Sequence, residues 1–185
     1  MARIVYSMLT SLDGYIAGPD GEIGLPVPET GLHQHFNEMM KQTSVVLAGR
    51  RMYEVMRFWD SPDRETGATE VERDFARAWR ETPKIVFSTT LGHVGHNARL
   101  VNGDALTTVR SLKSQTDGLI ILGGADLAAT LARAGLIDEY RLYMHPVVLG
   151  GGKPYFRSGL SLTLKPLGAE SLAQGVTLTR YAPAS

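Results

Sequence analysis

A strand pattern, a glycine pair and a helix pattern follow one another within Gly118–Leu136. Residues 119–122 form a short, continuous apolar run, which is typical of a strand buried on both faces of a sheet. Gly123-Gly124 comes next, and Leu127 and Leu131 then recur at helical spacing. This order places free backbone amides at a helix N-terminus, where N–H groups and the helix dipole stabilise an anion. A tight turn without a ligand fits the same residues.

The composition indicates one globular domain covering residues 1–185. Hydrophobic residues make up 43% and charged residues 21% of the chain, which argues against disorder. The chain has 19 basic and 19 acidic side chains, so no overall charge favours nucleic acid or an anionic membrane. It has no cysteine, which excludes a disulfide scaffold and a thiol nucleophile. His93 and His96 fall in a predicted loop without a third ligand, so we expect no metal site.

Two further patterns bear on where the protein works. The first residues lack the basic and then apolar pattern of a signal segment. No apolar run approaches the ~20 residues that a membrane-spanning helix needs. We therefore expect a soluble, cytoplasmic protein.

Strand patterns alternate with helix patterns along the chain. The predicted strands cover residues 3–12, 43–48, 84–87, 98–101, 119–122 and 138–145. Two helices are predicted over residues 29–42 and 52–57. Three more are predicted from Thr69 up to Pro83, from Asp104 onward, and directly after Gly123-Gly124. Residues 58–67 have the pattern of a loop. The alternating leucines at 160, 162 and 164 and the residues 176–181 predict a C-terminal antiparallel hairpin. The chain therefore has the pattern of an α/β fold, a three-layer α/β/α arrangement around a mainly parallel sheet.

Three predicted strand ends carry glycine-rich or polar turns. They are Gly49-Arg50-Arg51, Ser88-Thr89-Thr90 and Gly123-Gly124-Ala125-Asp126. Because the carboxyl ends of parallel strands form one rim, where ligands bind, we expect these turns to lie side by side. Guanidinium groups pair phosphate oxygens bidentately, and the hydroxyl groups can bind the same phosphate. Each turn alone also fits a solvated surface, but together they predict a dinucleotide with an extra phosphate, NADPH rather than NADH.

The same segments resemble a known superfamily. Residues 48–54, Ala-Gly-Arg-Arg-Met-Tyr-Glu, resemble the Met-Gly-Arg-x-Thr-x-Glu-Ser stretch of dihydrofolate reductases. Residues 87–90 and 121–124 are similar to their Leu-Ser-Ser/Thr and Ile-Gly-Gly segments. Residues 11–17, Ser-Leu-Asp-Gly-Tyr-Ile-Ala, are closer to the reductase domain of the bifunctional riboflavin-biosynthesis enzyme, as are 134–139 and 145–152. The resemblance covers nearly the whole chain, in the same order.

The resemblance implies a stand-alone, dimeric, NADPH-dependent reductase that transfers hydride to a C=N or C=O bond of a small heterocycle. A phosphoribosylamino-pyrimidine is the substrate that it nominates, and a non-catalytic scaffold that kept the fold is the alternative. Arg50 would contact the 2′-phosphate, and a cis peptide would join Gly123 to Gly124. The cofactor-binding residues that it implies are Ile16, Ala17, Gly49, Arg50, Arg51, Ser88, Thr89, Thr90, Leu122, Gly123, Gly124, Ala125, Asp126 and Leu127.

Two side chains are candidates for catalysis. Dihydrofolate reductases hold their substrate with a carboxylate early in the first helix, and the corresponding position here is about His33, which shares a helical stripe with Glu29. His33 fits either a proton donor or a buried, hydrogen-bonded histidine. Asp13 fits either a substrate contact or an Asp-Gly turn. Without the carboxylate, we do not expect folate itself to be the substrate.

The residues that would surround the substrate divide into two groups. Lys153 and Arg157, after the triple glycine 150–152, would suit a phosphorylated substrate. Tyr15, Phe36, Met40 and Tyr155 would instead form an apolar wall. We also expect a homodimer, because residues 138–145 and the C-terminal hairpin would expose strands rich in Tyr, Leu and Val.

Overall fold

The computed structural model of the chain describes residues 2–61 and 68–184. Its strands, β1 to β10, are Arg3–Thr10, Tyr15–Ala17, Thr43–Gly49, Lys84–Phe87, Ala98–Val101, Leu119–Gly123, Glu139–Met144, Lys153–Pro154, Leu164–Ser171 and Thr177–Pro183. Its α-helices, α1 to α5, are Thr30–Lys41, Arg50–Met56, Glu70–Glu81, Ala105–Gln115 and Ala125–Arg133. Short 3-10 turns cover Arg57–Asp60 and Ala173–Gly175. Most of the predicted loop 58–67 lies outside the described residues.

Within the described residues, eight strands form one sheet in the order β5-β4-β3-β6-β1-β7-β10-β9. Neighbours from β5 to β7 run parallel, and β10 runs antiparallel to both β7 and β9. The predicted mainly parallel sheet with a C-terminal hairpin is confirmed. The first hairpin strand begins at Leu164 rather than Leu160, because Leu160 and Leu162 pack against the main core from an irregular segment.

Helices cover both faces of this sheet. On one face, Ile4, Leu47 and Ile120 pack with Val109 of α4 and Leu131 of α5. On the other face, Val46 of β3 packs with Met40 of α1 and with Phe75 and Trp79 of α3. Successive side chains of a strand point to opposite faces, so strands rich in Ile, Val and Leu contribute side chains to both clusters. The predicted three-layer α/β/α architecture is confirmed.

Local capping sets where the helices begin. Thr69 accepts from the backbone N–H of Glu72, and the Glu72 carboxylate accepts from that of Thr69, which is the predicted capping box. At the start of α4, the carboxylate of Asp104 accepts a hydrogen bond from the backbone N–H of Leu106. Helix α2 begins at Arg50, two residues before its predicted start, with Gly49 as the N-cap. The first turn of α2 therefore begins at the sheet rim.

Candidate functional site

The carboxyl ends of β3, β4 and β6 lie side by side, as the sequence predicts. Gly49 is in register with Phe87 of β4, and Ala48 is in register with Gly123 of β6. A cavity of about 360 Å³ opens above these ends, between the starts of α2 and α5. Its lining residues are Gly49, Arg50, Arg51, Met52, Phe87, Gly124, Ala125, Asp126, Leu127, Thr130 and Lys153. Seven of the predicted cofactor residues are in this group. We call this cavity the rim cavity, because it lies above the carboxyl ends of the strands.

The glycine pair forms the turn from β6 into α5. Gly124 is the N-cap of α5 with φ of 100°, a conformation that favours glycine. A Cβ at Gly123 would lie 2.9 Å from Cγ of Met52, so α2 approaches the turn closely. The described residues contain no cis peptide bond, so the expected cis linkage between Gly123 and Gly124 is wrong. The positive φ of Gly124 turns the chain while the peptide bond stays trans.

The turn after β4 has a structural role of its own. Oγ of Ser88 accepts from the backbone N–H groups of Thr90 and Leu91, each at 3.1 Å. Ser88, Thr89 and Thr90 are not among the lining residues of the rim cavity, which Phe87 reaches instead. The hydroxyl of Ser88 is therefore engaged in the turn.

Other predicted cofactor residues lie in the core or beside it. Leu122 is fully buried, and Ile16 is 9% exposed in the same cluster. Ile16 and Ala17 belong to β2, which pairs with β8 beside the main sheet. Their side chains do not line the rim cavity, and the segment that begins at Gly18 contributes to a neighbouring cavity instead.

This second cavity, which we call the loop cavity, measures about 660 Å³. Its lining residues are Gly18, Pro19, Gly21, Arg51, Asp126, Gly152, Lys153 and Arg157. Arg51, Asp126 and Lys153 line both cavities, so the two adjoin. The predicted substrate residues Lys153 and Arg157 therefore lie next to the predicted cofactor residues.

Asp126 joins the two cations of the loop cavity. Its Oδ2 lies 2.5 Å from Nζ of Lys153, and its Oδ1 lies 3.0 Å from Nε of Arg157. Burial acts to raise the pKa of Asp126, but the hydrogen bond from Lys153 and the charges of Lys153, Arg157 and Arg51 outweigh it and lower that pKa. Sequence reasoning missed this cluster, because nothing in the spacing of these residues signals their contact.

Asp13 holds a loop at the same end of the sheet. Its Oδ1 accepts from the N–H of Leu149 at 3.1 Å, and its Oδ2 from that of Gly150 at 2.8 Å. A hydrogen bond with Ser11 and these backbone N–H groups lower the pKa of Asp13. Asp13 does not line either cavity, so the geometry favours the turn interpretation.

His33 lies between helices rather than at the rim. It is 6% exposed, its Nδ1 lies 3.4 Å from Oδ1 of Asn37, and its ring contacts Trp59 and Phe75 edge-on. This is the buried, hydrogen-bonded histidine of the second interpretation. Its position gives the proton-donor interpretation no support, because His33 does not line either cavity.

The predicted apolar wall does not form. Met40 is 4% exposed in the cluster with Trp79, and the ring of Phe36 lies 5.0 Å from that of Tyr143. Tyr155 is 2% exposed, and its hydroxyl donates to the carbonyl oxygen of Tyr6 at 2.9 Å. Tyr15 is half-buried in β2. Met40, Phe36 and Tyr155 therefore pack within the protein and do not line either cavity, and Tyr15 does not line a cavity either.

His145 follows β7 at the rim, and sequence reasoning named it only within the segment 145–152 that carries the resemblance, without a role of its own. It is 1% exposed, and burial lowers its pKa. Its backbone N–H donates to the carbonyl oxygen of Thr10 at the end of β1. In the described part of the chain, Nε2 of His145 and Oγ1 of Thr10 are buried without a hydrogen-bond partner. The available signal was a histidine at the end of a predicted strand, and one such residue does not indicate a function without knowledge of its neighbours.

The chain belongs to the RibD C-terminal domain family, which matches residues 2–178. YyaP, an uncharacterised protein of Bacillus subtilis (strain 168), is 31% identical over 183 residues, covering 97% of this chain and 94% of YyaP. YwjB of the same strain is 25% identical over 178 residues, covering 95% of each chain. The resemblance to the reductase domain of the riboflavin enzyme is confirmed at the level of the family.

Solved structures share the fold over the whole chain. A candidate riboflavin biosynthesis protein from Shewanella sp. PV-4 has a TM-score of 0.75 at 24% identity and covers 100% of both chains. Acinetobacter baumannii RibD has a TM-score of 0.73 at 17% identity, covering 100% of this chain and 59% of RibD. Enterococcus faecalis dihydrofolate reductase, solved with NADP(H), has a TM-score of 0.67 at 12% identity, covering 99% and 97%. The dihydrofolate reductase-like fold is therefore confirmed.

Proposed function

We propose that the protein is an NADPH-dependent reductase that transfers hydride to a C=N or C=O bond of a small heterocyclic substrate. The observation that carries the proposal is the rim cavity, where Arg50 and Arg51 meet the glycine turn at the start of α5. Membership of the RibD C-terminal domain family supports a reductase. The dihydrofolate reductase that shares the fold was solved with NADP(H), which supports a nicotinamide cofactor.

The residues of the rim cavity fit a phosphorylated dinucleotide. Phe87, Leu127 and Met52 give it apolar walls, while Arg50 and Arg51 place guanidinium groups at its edge. Apolar walls with a few convergent polar groups are typical of cofactor sites, and arginine pairs phosphate bidentately. When bound, NADPH supplies the hydride, and the chain supplies orientation and electrostatics.

The chain's own residues would act in three places. Arg50 and Arg51 would bind phosphate oxygens, and the close approach of Met52 to Gly123 would fix the position of α2 against the turn. Lys153 and Arg157 would face a substrate in the loop cavity. His33 and Asp13 stay predictions as catalytic residues, and their positions favour structural roles.

A non-catalytic NADP-binding or scaffold protein is the second candidate. The observation that favours it is that neither predicted catalytic side chain, Asp13 or His33, lines a cavity, since hydride transfer to C=N or C=O also requires a proton. Turnover of imines or ketones with NADPH oxidation distinguishes the two, because a scaffold would bind NADPH without consuming it.

Fluorescence titration of the protein with NADPH and with NADH tests the cofactor. We expect saturable NADPH binding below the millimolar range and weaker NADH binding, because the arginines would favour the extra phosphate. Absence of saturable binding by NADPH would defeat the proposed function.

A further inference from the structure

One carboxylate holds two cations at the junction of the two cavities. Asp126 contacts Lys153 through one oxygen and Arg157 through the other. The side chain of Asp126 is 67% exposed, whereas that of Lys153 is 21% exposed. The carboxylate is therefore the outer member of the cluster and meets any ligand that approaches the cations from the loop cavity.

The cations keep hydrogen-bonding capacity beyond this pairing. Arg157 uses Nε toward Asp126, and a guanidinium carries further N–H donors in a planar fork that matches a carboxylate or phosphate. Lys153 carries three donors on one ammonium group and is held in place by β8, which pairs with β2. The cluster can therefore bind an anion while Asp126 remains in place.

The charge of the cluster limits which anion suits it. Arg51, Lys153 and Asp126 line both cavities, and Arg157 lines the loop cavity. Lys153 and Arg157 are ion-paired with Asp126, whereas Arg51 follows Arg50 in the first turn of α2, so we assign Arg51 to the phosphates of the proposed cofactor. Lys153, Arg157 and Asp126 then leave one positive charge for the substrate. Coulomb attraction grows in proportion to the ligand's charge, whereas the Born cost of desolvation grows with its square. A site with one positive charge therefore suits a monoanion better than a dianion.

We propose that the loop cavity binds a carboxylate group of the substrate, and that Asp126 is the specificity-determining residue that disfavours a phosphate monoester there. The proposal rests on the proposed function and names its substrate class. It separates this chain from a reductase of phosphoribosylamino-pyrimidines, because Asp126 offsets half of the charge that Lys153 and Arg157 offer to a phosphate. The depressed pKa of Asp126 is consistent with an ionised carboxylate at neutral pH.

The test compares three ligands of similar shape by isothermal titration calorimetry on NADPH-saturated protein. Benzoate carries one negative charge, phenyl phosphate carries nearly two, and benzamide carries none. We expect wild-type protein to bind benzoate at least as tightly as phenyl phosphate and to bind benzamide negligibly.

Asp126→Asn removes the charge and nearly preserves the shape. The repulsion between the Asp126 carboxylate and a ligand scales with the ligand's negative charge. This variant should therefore bind benzoate several-fold more tightly than the wild type does. Its affinity for phenyl phosphate should increase by about the square of that factor. Benzamide binding should not change. Asp74→Asn is the matched control, because Asp74 is an exposed carboxylate of α3 paired with Arg77 and does not line either cavity.

The outcomes separate this proposal from the proposed function. Absence of NADPH binding would overturn both. Normal NADPH binding without benzoate binding would overturn the substrate subsite alone. Tighter wild-type binding of phenyl phosphate than of benzoate would overturn the carboxylate class, and equal changes for all three ligands in Asp126→Asn would show that Asp126 acts only on the local structure.

Discussion

Arg50 is the first residue of α2, and its guanidinium lies 3.4 Å from the carboxylate of Glu54 one turn later. Such exposed pairs contribute little, so the guanidinium can turn to a ligand at small cost. If it pairs the 2′-phosphate, Arg50→Ala should weaken NADPH binding by about 1.5–3 kcal/mol, the range for charged hydrogen bonds, and leave NADH nearly unchanged. Paired titrations with the two nucleotides measure this selectivity.

Arg51→Ala is the comparison for that experiment. Arg51 lines both cavities, so it faces the substrate side as well as the cofactor side. We expect it to discriminate between the nucleotides less than Arg50 does. Equal losses of NADPH and NADH affinity in Arg50→Ala would show that Arg50 has a structural role instead.

Lys84 is a buried ammonium group at the start of β4. It is 2% exposed, and its Nζ donates to the carbonyl oxygens of Trp79 and Thr82 at 2.7 and 2.9 Å. Burial lowers the pKa of Lys84 from 10.5 to about 8, although the charge of Asp60 opposes the shift. The folded chain therefore releases this proton at lower pH than the unfolded chain does.

This shift predicts how stability depends on pH. Between pH 8 and 10 the unfolded chain binds a proton at Lys84 that the folded chain has lost, so the free energy of unfolding should rise by about 1 kcal/mol per pH unit. Lys84→Met should lack this rise, and below pH 8 the two pH profiles should run parallel. Burial raises the pKa of Tyr140 from 10.0 to about 12. Above pH 10 the unfolded chain has lost this proton while the folded chain keeps it, so the free energy of unfolding should fall again with rising pH. Urea denaturation across this range gives the slopes, and identical slopes would contradict the assignment.

At the scale of elements, the small β2–β8 sheet sets the position of Lys153. Gly152 precedes β8 with φ of 125°, and a Cβ there would clash with the carbonyl oxygen of Ala17 in β2. Gly152→Ala should lower the free energy of unfolding by about 3 kcal/mol or more, because backbone strain and overpacking add. Gly159→Ala is the control, since Gly159 also has positive φ, but within the described residues no atom lies within 4 Å of a Cβ added there.

Chemical denaturation of both variants checks this prediction. Gly159→Ala has strain without a clash and should lose about 1–2 kcal/mol. Similar losses in the two variants would mean that β2 gives way at no cost and does not fix the loop cavity.

Elements with local signals could be predicted from the sequence, and contacts between elements could not. The capping box of Thr69 and Glu72 joins residues three apart, so the sequence displays it directly. Met40 shows what a local pattern leaves open. Its place in an apolar helical stripe predicts that it is buried, but the pattern does not indicate whether it packs in the core, as it does, or lines a cavity. The pairing of Asp126 with Lys153 depends on the relative positions of α5 and β8, which no local sequence pattern indicates.

At the scale of the whole molecule, the glycine-rich turns predicted one rim because parallel strands necessarily end together. The sequence could not predict which strand would be interior. β7, expected to expose aromatic residues, lies between β1 and β10, and Tyr140 and Tyr143 are 2% and 0% exposed. The part of the dimer argument that relied on residues 138–145 is therefore wrong, whereas β9 of the C-terminal hairpin is an exposed edge strand. The dimer itself stays a prediction.

The exposed edge of the sheet is also a poor place for a second copy. β9 contains Pro166, and its register with β10 shifts beside Leu167. Proline and bulges protect edge strands from pairing with another chain. Leu167 on this edge is 46% exposed, but Leu12 and Val148 are more exposed, at 62% and 68%. They lie on segments joined by the hydrogen bond from the backbone N–H of Leu12 to the carbonyl oxygen of Val147.

We propose that a homodimer forms through the surface of Leu12 and Val148, because apolar groups exposed together are normally covered. Light scattering at micromolar concentration should give about twice the 20.1 kDa of one chain. Val148→Asp should convert the dimer to a monomer, since a buried carboxylate without a partner is costly. Leu167→Asp, on the protected edge, should leave the dimer intact. A wild-type mass of a single chain would exclude the dimer, and dissociation by Leu167→Asp but not by Val148→Asp would move its interface to the hairpin.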